Sequence, residues 1–243
     1  MLRIGTLNVH EWMDGNYNCA EEKIQKILLD SNLDIIALQE TYEYPLLEKV
    51  FEGYNYVYRN KTAILSRFPI KRINQCKKSE KYSVAQVIFP WEFEPVIVVC
   101  VQLNFRKESK RITEMENIIR DISPELNKRK CIILGDFNSV IKQDYSRREW
   151  EQVIQVKKDT NQENPVTTLT TNILSYHGWN LIDSRKYANK TTGPKSTCRF
   201  NTRIDYIFLN EYCRSKHRIL LNEHIVAIPD ISDHNLVVTT LAI

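Results

Sequence analysis

The sequence predicts an α+β fold in which two mostly antiparallel sheets pack face to face with helices outside. Three observations predict it. Short strand-like runs outnumber helical ones, several neighbouring runs lie close enough in the chain to pair antiparallel, and the helical runs carry their apolar residues on one face.

Residues 2–9 open the chain with the alternation of a strand. Ile24, Ile27, Leu28 and Leu29 recur at helical spacing before a brief buried-strand run at 34–38, which Gln39 and Glu40 follow at once. Residues 96–103 and 131–134 are further apolar strands. Between these two, Ile112, Met115, Ile118, Ile119 and Ile122 mark one face of a helix over 107–123, with Pro124 expected to end it or start the next turn. Trp150, Val153 and Ile154 predict another helix, and Leu169, Ile173 and Leu174 a third. Strands resume at 203–209, around 218–228 and at 235–241.

With 42% hydrophobic and 26% charged residues in 243, the chain can bury a sizeable core and is read as one domain, 1–243. The net charge of +4 tilts towards anionic partners without establishing nucleic-acid binding. Arg3 and Asn8 interrupt the apolar start, so no signal peptide is expected, and no segment is apolar enough to span a bilayer. The six cysteines are scattered without a CxxC pair and read as reduced core residues, which points to an intracellular, cytoplasmic or nuclear protein.

Five polar signatures sit at or beside strand ends: Asn8; Glu40; Asp136 and Asn138 in Gly135-Asp136-Phe137-Asn138; Asp205; and Asp233 with His234 in Ser232-Asp233-His234. Each alone has an ordinary explanation. Asn in a strand is often a satisfied backbone contact, Gln-Glu a solvated turn, Gly-Asp-Phe-Asn a β-turn with Asx hydrogen bonding, and Ser-Asp-His a cap or loop. Asp205 between apolar neighbours is odder, because a buried carboxylate requires a partner or a function.

In this order and spacing the signatures resemble the endonuclease/exonuclease/phosphatase (DNase I-like) superfamily, and the match runs from Leu7-Asn8 to Ser232-Asp233-His234. The stretch Ile64-Leu65-Ser66-Arg67-Phe68-Pro69-Ile70 also looks like the family's strand and turn before Pro. The resemblance implies a four-layer α/β-β/α sandwich and an Mg2+-dependent hydrolase of phosphoesters, with Mn2+ as a possible substitute. It implies Glu40 as principal metal ligand with Asn8 beside it and Asp233 near the metal. Asp136 would orient or deprotonate the attacking water, Asn138 would bind a phosphoryl oxygen, and His234 would contact phosphate, held by Asp205. Tyr206, next in the strand, should alternate to the opposite face and belong to the core.

Two residues depart from the family pattern. His10 stands where nucleic-acid-directed members commonly have Asp and cannot supply a hard anionic oxygen; it either touches phosphate or lies at the surface. Gln102 stands where many members have His. It can donate a neutral hydrogen bond to phosphate but brings no charge, which leaves Asn104 or Arg111 to compensate.

For substrate, the stretch 185–203 carries Arg185, Lys186, Lys190, Lys195, Arg199 and Arg203 with Tyr187 and Phe200, a pattern suited to a nucleic-acid backbone and unstacked bases. The plainer reading is a solvated loop. Arg106, Lys107, Lys110 and Arg111 form a second basic cluster, and Trp179 reads as core. The chain looks loosely nearest the 5′-tyrosyl-DNA phosphodiesterase and small nuclease branches, with nucleic acid as substrate and no obligate protein partner evident. Two alternatives remain: a small or lipid phosphoester such as an inositol phosphate, and a catalytically weakened binding protein that keeps the fold.

Overall fold

A computed structural model describes residues 1–42, 47, 51–73, 81–126, 128–165, 181–213, 220–227 and 231–242. Its strands are β1 Leu2–Asn8, β2 Ile35–Gln39, β3 Asn55–Arg59, β4 Thr62–Ser66, β5 Ile70–Arg72 and β6 Tyr82–Val87. They continue as β7 Val96–Gln102, β8 Cys131–Asp136, β9 Ile182–Asp183, β10 Lys190–Thr192, β11 Asp205–Leu209, β12 Leu220–Ala227 and β13 Leu236–Ala242. The helices are α1 Glu21–Asp30, α2 Glu108–Leu126, α3 Arg147–Asp159 and the single turn α4 Ser184–Tyr187.

One sheet has the order β10-β12-β13-β1-β2-β4-β3 and the other β5-β6-β7-β8-β11-β9. Both are mixed. The pairs β1–β2, β7–β8 and β10–β12 are parallel, and the remaining pairs among the described residues are antiparallel. Leu2, Ile4, Ile35, Ala37 and Ile64 of the first sheet pack on Val98, Cys100, Ile132, Leu134 and Ile207 of the second. Behind the second sheet, Met115, Ile118, Ile119 and Ile122 of α2 meet Ile97, Val99 and Ile133. Behind the first, Ile24 and Leu28 of α1 meet Leu7, Ile36 and Leu38. The result is the helix–sheet–sheet–helix stack.

The period of two positions the chemistry. On the face each strand turns to the other sheet, side chains run from apolar to polar towards one rim: Leu2, Ile4, Thr6, Asn8 in β1; Ile35, Ala37, Gln39 in β2; Val98, Cys100, Gln102 in β7; Ile132, Leu134, Asp136 in β8; and Leu209, Ile207, Asp205 in β11. Pairing then aligns the polar ends. Gln102 lies beside Asp136, and Asp136 beside Asp205, while Asn8 lies beside Gln39 in the facing sheet.

Several expectations change in detail. Pro124 sits inside α2, which runs to Leu126; a proline there removes only one bond near the helix end. Strands β3 and β6 lie in segments whose aromatic and polar residues hid the alternation. The expected helix at Leu169, Ile173 and Leu174, the core placement of Trp179, and Cys76 lie outside the described residues. The other five cysteines are free thiols, and all but Cys19 are buried.

Candidate active site

Asp136 ends β8 at the floor of a cleft of about 480 Å³ between the polar strand ends. Gly135, with φ +137°, precedes it, and a Cβ there would lie 2.1 Å from the Val101 carbonyl oxygen. Only glycine lets the strand turn this tightly against β7. Asn138, in the left-handed region with φ 49°, folds the following turn back on the acid. Its backbone N–H donates to Asp136 Oδ1 (2.8 Å) and its amide to Oδ2 (2.9 Å), and the amide also donates to the Leu103 carbonyl (3.1 Å).

Asn8 bridges the sheets. Its amide nitrogen donates to Glu40 Oε1 (3.1 Å) and Asp136 Oδ2 (3.3 Å), while its oxygen accepts the His10 N–H (3.0 Å). In this orientation Asn8 offers donors to the carboxylates and spends its oxygen within the chain. Glu40, just past β2, has φ 57°, which swings its carboxylate into the cleft. Gln102 Nε2 donates to Glu40 Oε1 at 2.6 Å. The expected phosphate donor is therefore engaged with an acid, and Gln102 Oε1 is buried without a partner.

Asp205 and His234 form a buried pair, with His234 Nδ1 at 3.1 and 3.0 Å from the two Asp205 oxygens. Thr197 Oγ1 accepts the Asp205 N–H (3.0 Å) and fixes the strand entry. Ser232 Oγ donates to the Asn8 carbonyl (2.8 Å) and accepts the His234 N–H (3.2 Å), which fastens the last loop to β1. Burial disfavours the imidazolium, but the Asp205 charge and hydrogen bond, with Asp136 behind them, outweigh it and hold the His234 pKa well above its ordinary value. Burial first, then the Asp205 charge, pushes Asp136 up to about 7, with His234 opposing.

Asp233 also lines the cleft, with its oxygens 3.7 Å from His10 Nδ1 and 3.7 Å from Arg199 Nε. His10 is thus a cleft residue and not a surface one, with its ring edge-on to Tyr17 at 5.0 Å. Ligand atoms of Asp136, Asp205 and His234 fall within 4.8 Å of one another. His234 Nδ1 is already hydrogen-bonded to Asp205, so that trio is better suited to holding a proton than to caging a cation. Glu40 and Asp233 offer hard carboxylate oxygens, and Asp233 Oδ1, like Gln102 Oε1, is a buried oxygen with no hydrogen-bond partner. This donor set fits a hard divalent cation.

Among the other expected residues, Asn104, Arg199 and Phe200 line the cleft. Asn104 Oδ1 also accepts the N–H groups of Arg106 (3.0 Å) and Lys107 (2.8 Å). Arg111 does not line the cleft. It is 1% exposed, paired with Glu108, and donates to the Asn104 (2.8 Å) and Phe105 (3.2 Å) carbonyls, so it braces the loop below. Most of the 185–203 basic stretch is likewise used internally. Lys186 meets Asp144 (3.3 Å), Lys190 meets Glu223 (3.4 Å) and Lys195 meets Glu149 (2.6 Å). Arg203 is buried against Asp183 (2.5 Å) and Asp144 (2.9 Å). Arg185 donates to the Pro194 carbonyl (3.2 Å). Acids distant in sequence thus pair with Lys186, Lys190, Lys195 and Arg203. Tyr206 is core, with its hydroxyl donating to the Arg203 (2.8 Å) and Ser139 (3.1 Å) carbonyls.

The cleft gains residues that the sequence reading did not single out: Lys61, Lys81, Lys157, Tyr17 and Tyr42. For Lys157 a signal existed. It continues the Trp150, Val153 spacing and so places a cation on the apolar face of its helix.

The model of the Endonuclease/Exonuclease/phosphatase family matches residues 15–234. No curated protein matches the sequence. An endonuclease/exonuclease/phosphatase from Bacteroides vulgatus is 17% identical with a TM-score of 0.71, covering 100% of this chain and 98% of its own. A mannosyl-6-phosphatase from Bacteroides thetaiotaomicron is 14% identical with a TM-score of 0.70, and an AP endonuclease from Archaeoglobus fulgidus is 14% identical with a TM-score of 0.68; each covers 100% of both chains. At these identities the likeness establishes the shared fold. Members of the matched family are hydrolases of phosphoesters that generally use a divalent metal. By sequence match, fold and the polar strand ends that meet at one rim, this chain belongs to the endonuclease/exonuclease/phosphatase family.

Proposed function

We propose that the protein is an Mg2+-dependent phosphodiesterase that cleaves nucleic acid by in-line attack of an activated water. The observation that carries the reaction type is Asp136, held at the cleft floor by Asn8 and Asn138 with its pKa raised to about 7. A carboxylate titrating near neutrality is well matched to take a proton from water as the oxygen attacks phosphorus. His234, kept protonated by Asp205, can donate from Nε2 to a phosphoryl oxygen as charge develops there. Glu40 and Asp233 would hold the cation, and Asn8 and Gln102 orient Glu40 by hydrogen bonds. Bound there, Mg2+ supplies neutralisation of the phosphoryl and leaving-group oxygens.

Nucleic acid as substrate is supported by the cleft rim, where exposed Tyr17, Tyr42, Phe105 and Phe200 stand among Lys61, Lys81 and Arg199. Aromatic faces interleaved with cations suit unstacked bases and their phosphates. A second reading, a phosphatase of small phosphoesters, is favoured by the cleft's volume of about 480 Å³, which would take a sugar phosphate whole. We place the activity in one domain, 1–243, in a cytoplasmic or nuclear setting consistent with the free buried thiols.

A panel of labelled oligonucleotides, inositol phosphates and sugar phosphates, assayed with Mg2+ and with chelator, tests this. Oligonucleotide cleavage should vanish with chelator and fall at least 10²-fold in Glu40→Ala and Asp136→Asn. Turnover confined to the monoesters would select the second reading, and turnover indifferent to both substitutions would remove both.

A further inference from the structure

Lys157 is a cleft residue that the reaction above leaves without a task. It lies in the last turn of α3, only 5% exposed, and its ammonium donates to the Gln162 side-chain oxygen at 2.6 Å. Among the described residues no carboxylate comes within 4.0 Å of it. The charges it feels are Arg111, which repels it, and Asp136 and Glu108 at longer range. A cation buried against a neutral amide has given up its hydration without gaining a counter-charge, and an arriving anion would supply one.

The fold holds this arrangement firmly. Ser146 and Glu149 form a capping box at the start of α3. At the other end Asn161, with φ 54°, turns the chain so that its N–H bonds the Lys158 carbonyl (3.0 Å) and the Gln162 N–H bonds the Lys157 carbonyl (2.8 Å). That pair of bonds is the Schellman motif, and it returns Gln162 to the side of Lys157. An ammonium has three donors; Gln162 takes one and two remain for a ligand. Val156, Lys157, Thr160 and Gln162 make a helical wall of the cleft, whereas Asp136, Asn138 and His234 belong to the strand rim.

We propose that Lys157 and Gln162 form a second anion-binding subsite, which takes a phosphoryl group of the substrate other than the one being hydrolysed. The proposal rests on the phosphoesterase reading and adds substrate selection: esters with a neighbouring phosphate are preferred. In the test, thymidine 5′-(p-nitrophenyl phosphate) is compared with its 3′-phosphorylated counterpart, using the full chain with Mg2+. Wild type should favour the bisphosphate in kcat/KM, mainly through KM. Lys157→Met should reduce that preference at least tenfold, and Lys157→Arg should keep part of it. Gln162→Glu, which gives Lys157 an internal carboxylate, should reduce it as well and serves if Lys157→Met does not fold. A readout free of turnover is calorimetric binding of thymidine 3′,5′-bisphosphate against thymidine 5′-monophosphate in EDTA, with the same ranking expected. Absence of turnover on both nucleotides would sink the phosphodiesterase reading while calorimetry still decides the subsite. No preference in wild type, or equal losses on both ligands in the variants, would overturn the subsite.

Discussion

Once a titratable side chain is buried its neighbours decide its charge, and two buried histidines illustrate opposite outcomes. His234 is hydrogen-bonded to a carboxylate and stays charged, whereas His224 in β12 meets the Ser184 hydroxyl (3.0 Å) and feels Arg203 and Arg185, which outweigh the opposing charge of Asp183. Burial, then the Arg203 charge, pushes His224 down to about 3. Unfolded, it takes a proton near pH 6.5; folded, it stays neutral to about pH 3, so its contribution to stability is lost as pH falls through that window. Asp136 acts with the opposite sign between pH 5 and 7, so the clean quantity is a difference between proteins. His224→Gln should gain about 1.5 kcal/mol on wild type between pH 6.5 and 5.0. Calorimetric melting at both pH values checks this, and parallel pH dependence in the two proteins would refute it. At this scale the sequence was most legible where a motif is local. Asp136 and Asn138 belong to one turn, and Asp205 stood out as an acid among apolar neighbours. Lys61, Lys81 and Tyr42 reach the cleft through tertiary packing, and nothing in their immediate neighbours signals it.

Among the elements, α3 is the one whose end geometry bears on substrate selection. Removing the Ser146 hydroxyl leaves the Glu149 N–H without its cap, and Ser146→Ala should cost ~1 kcal/mol. For a chain of this length that lowers Tm by about 2–4 °C, which differential scanning calorimetry reads directly. An unchanged Tm would mean that tertiary packing alone holds the helix. Apolar strands such as β7 and β8 were plain in the sequence because both their faces are buried. Within the basic stretch the division between Arg199, which lines the cleft, and the paired cations was not legible, because a cation's partner is invisible until the chain folds: Asp183 pairs with Arg203 and Glu149 with Lys195.

In the whole molecule, the site exists only when the sheets are stacked. Asn8 ends one strand of the first sheet and Glu40 follows another, Asp136 and Asp205 belong to strands of the second, and the Asn8 amide joins Glu40 to Asp136. Turnover should therefore disappear together with the global transition. Urea titrations followed by tryptophan fluorescence and by activity should share one midpoint, and early loss of activity with fluorescence intact would count against this coupling. The strand alignment that sets Gln102, Asp136 and Asp205 abreast has an evolutionary corollary. One residue inserted into β8 ahead of Asp136 would turn its carboxylate out towards the α2 layer, where Met115 and Ile118 lie. Insertions and deletions among descendants of this chain should accordingly gather at the far ends of these strands and in the rim loops, where added length leaves the alternation intact.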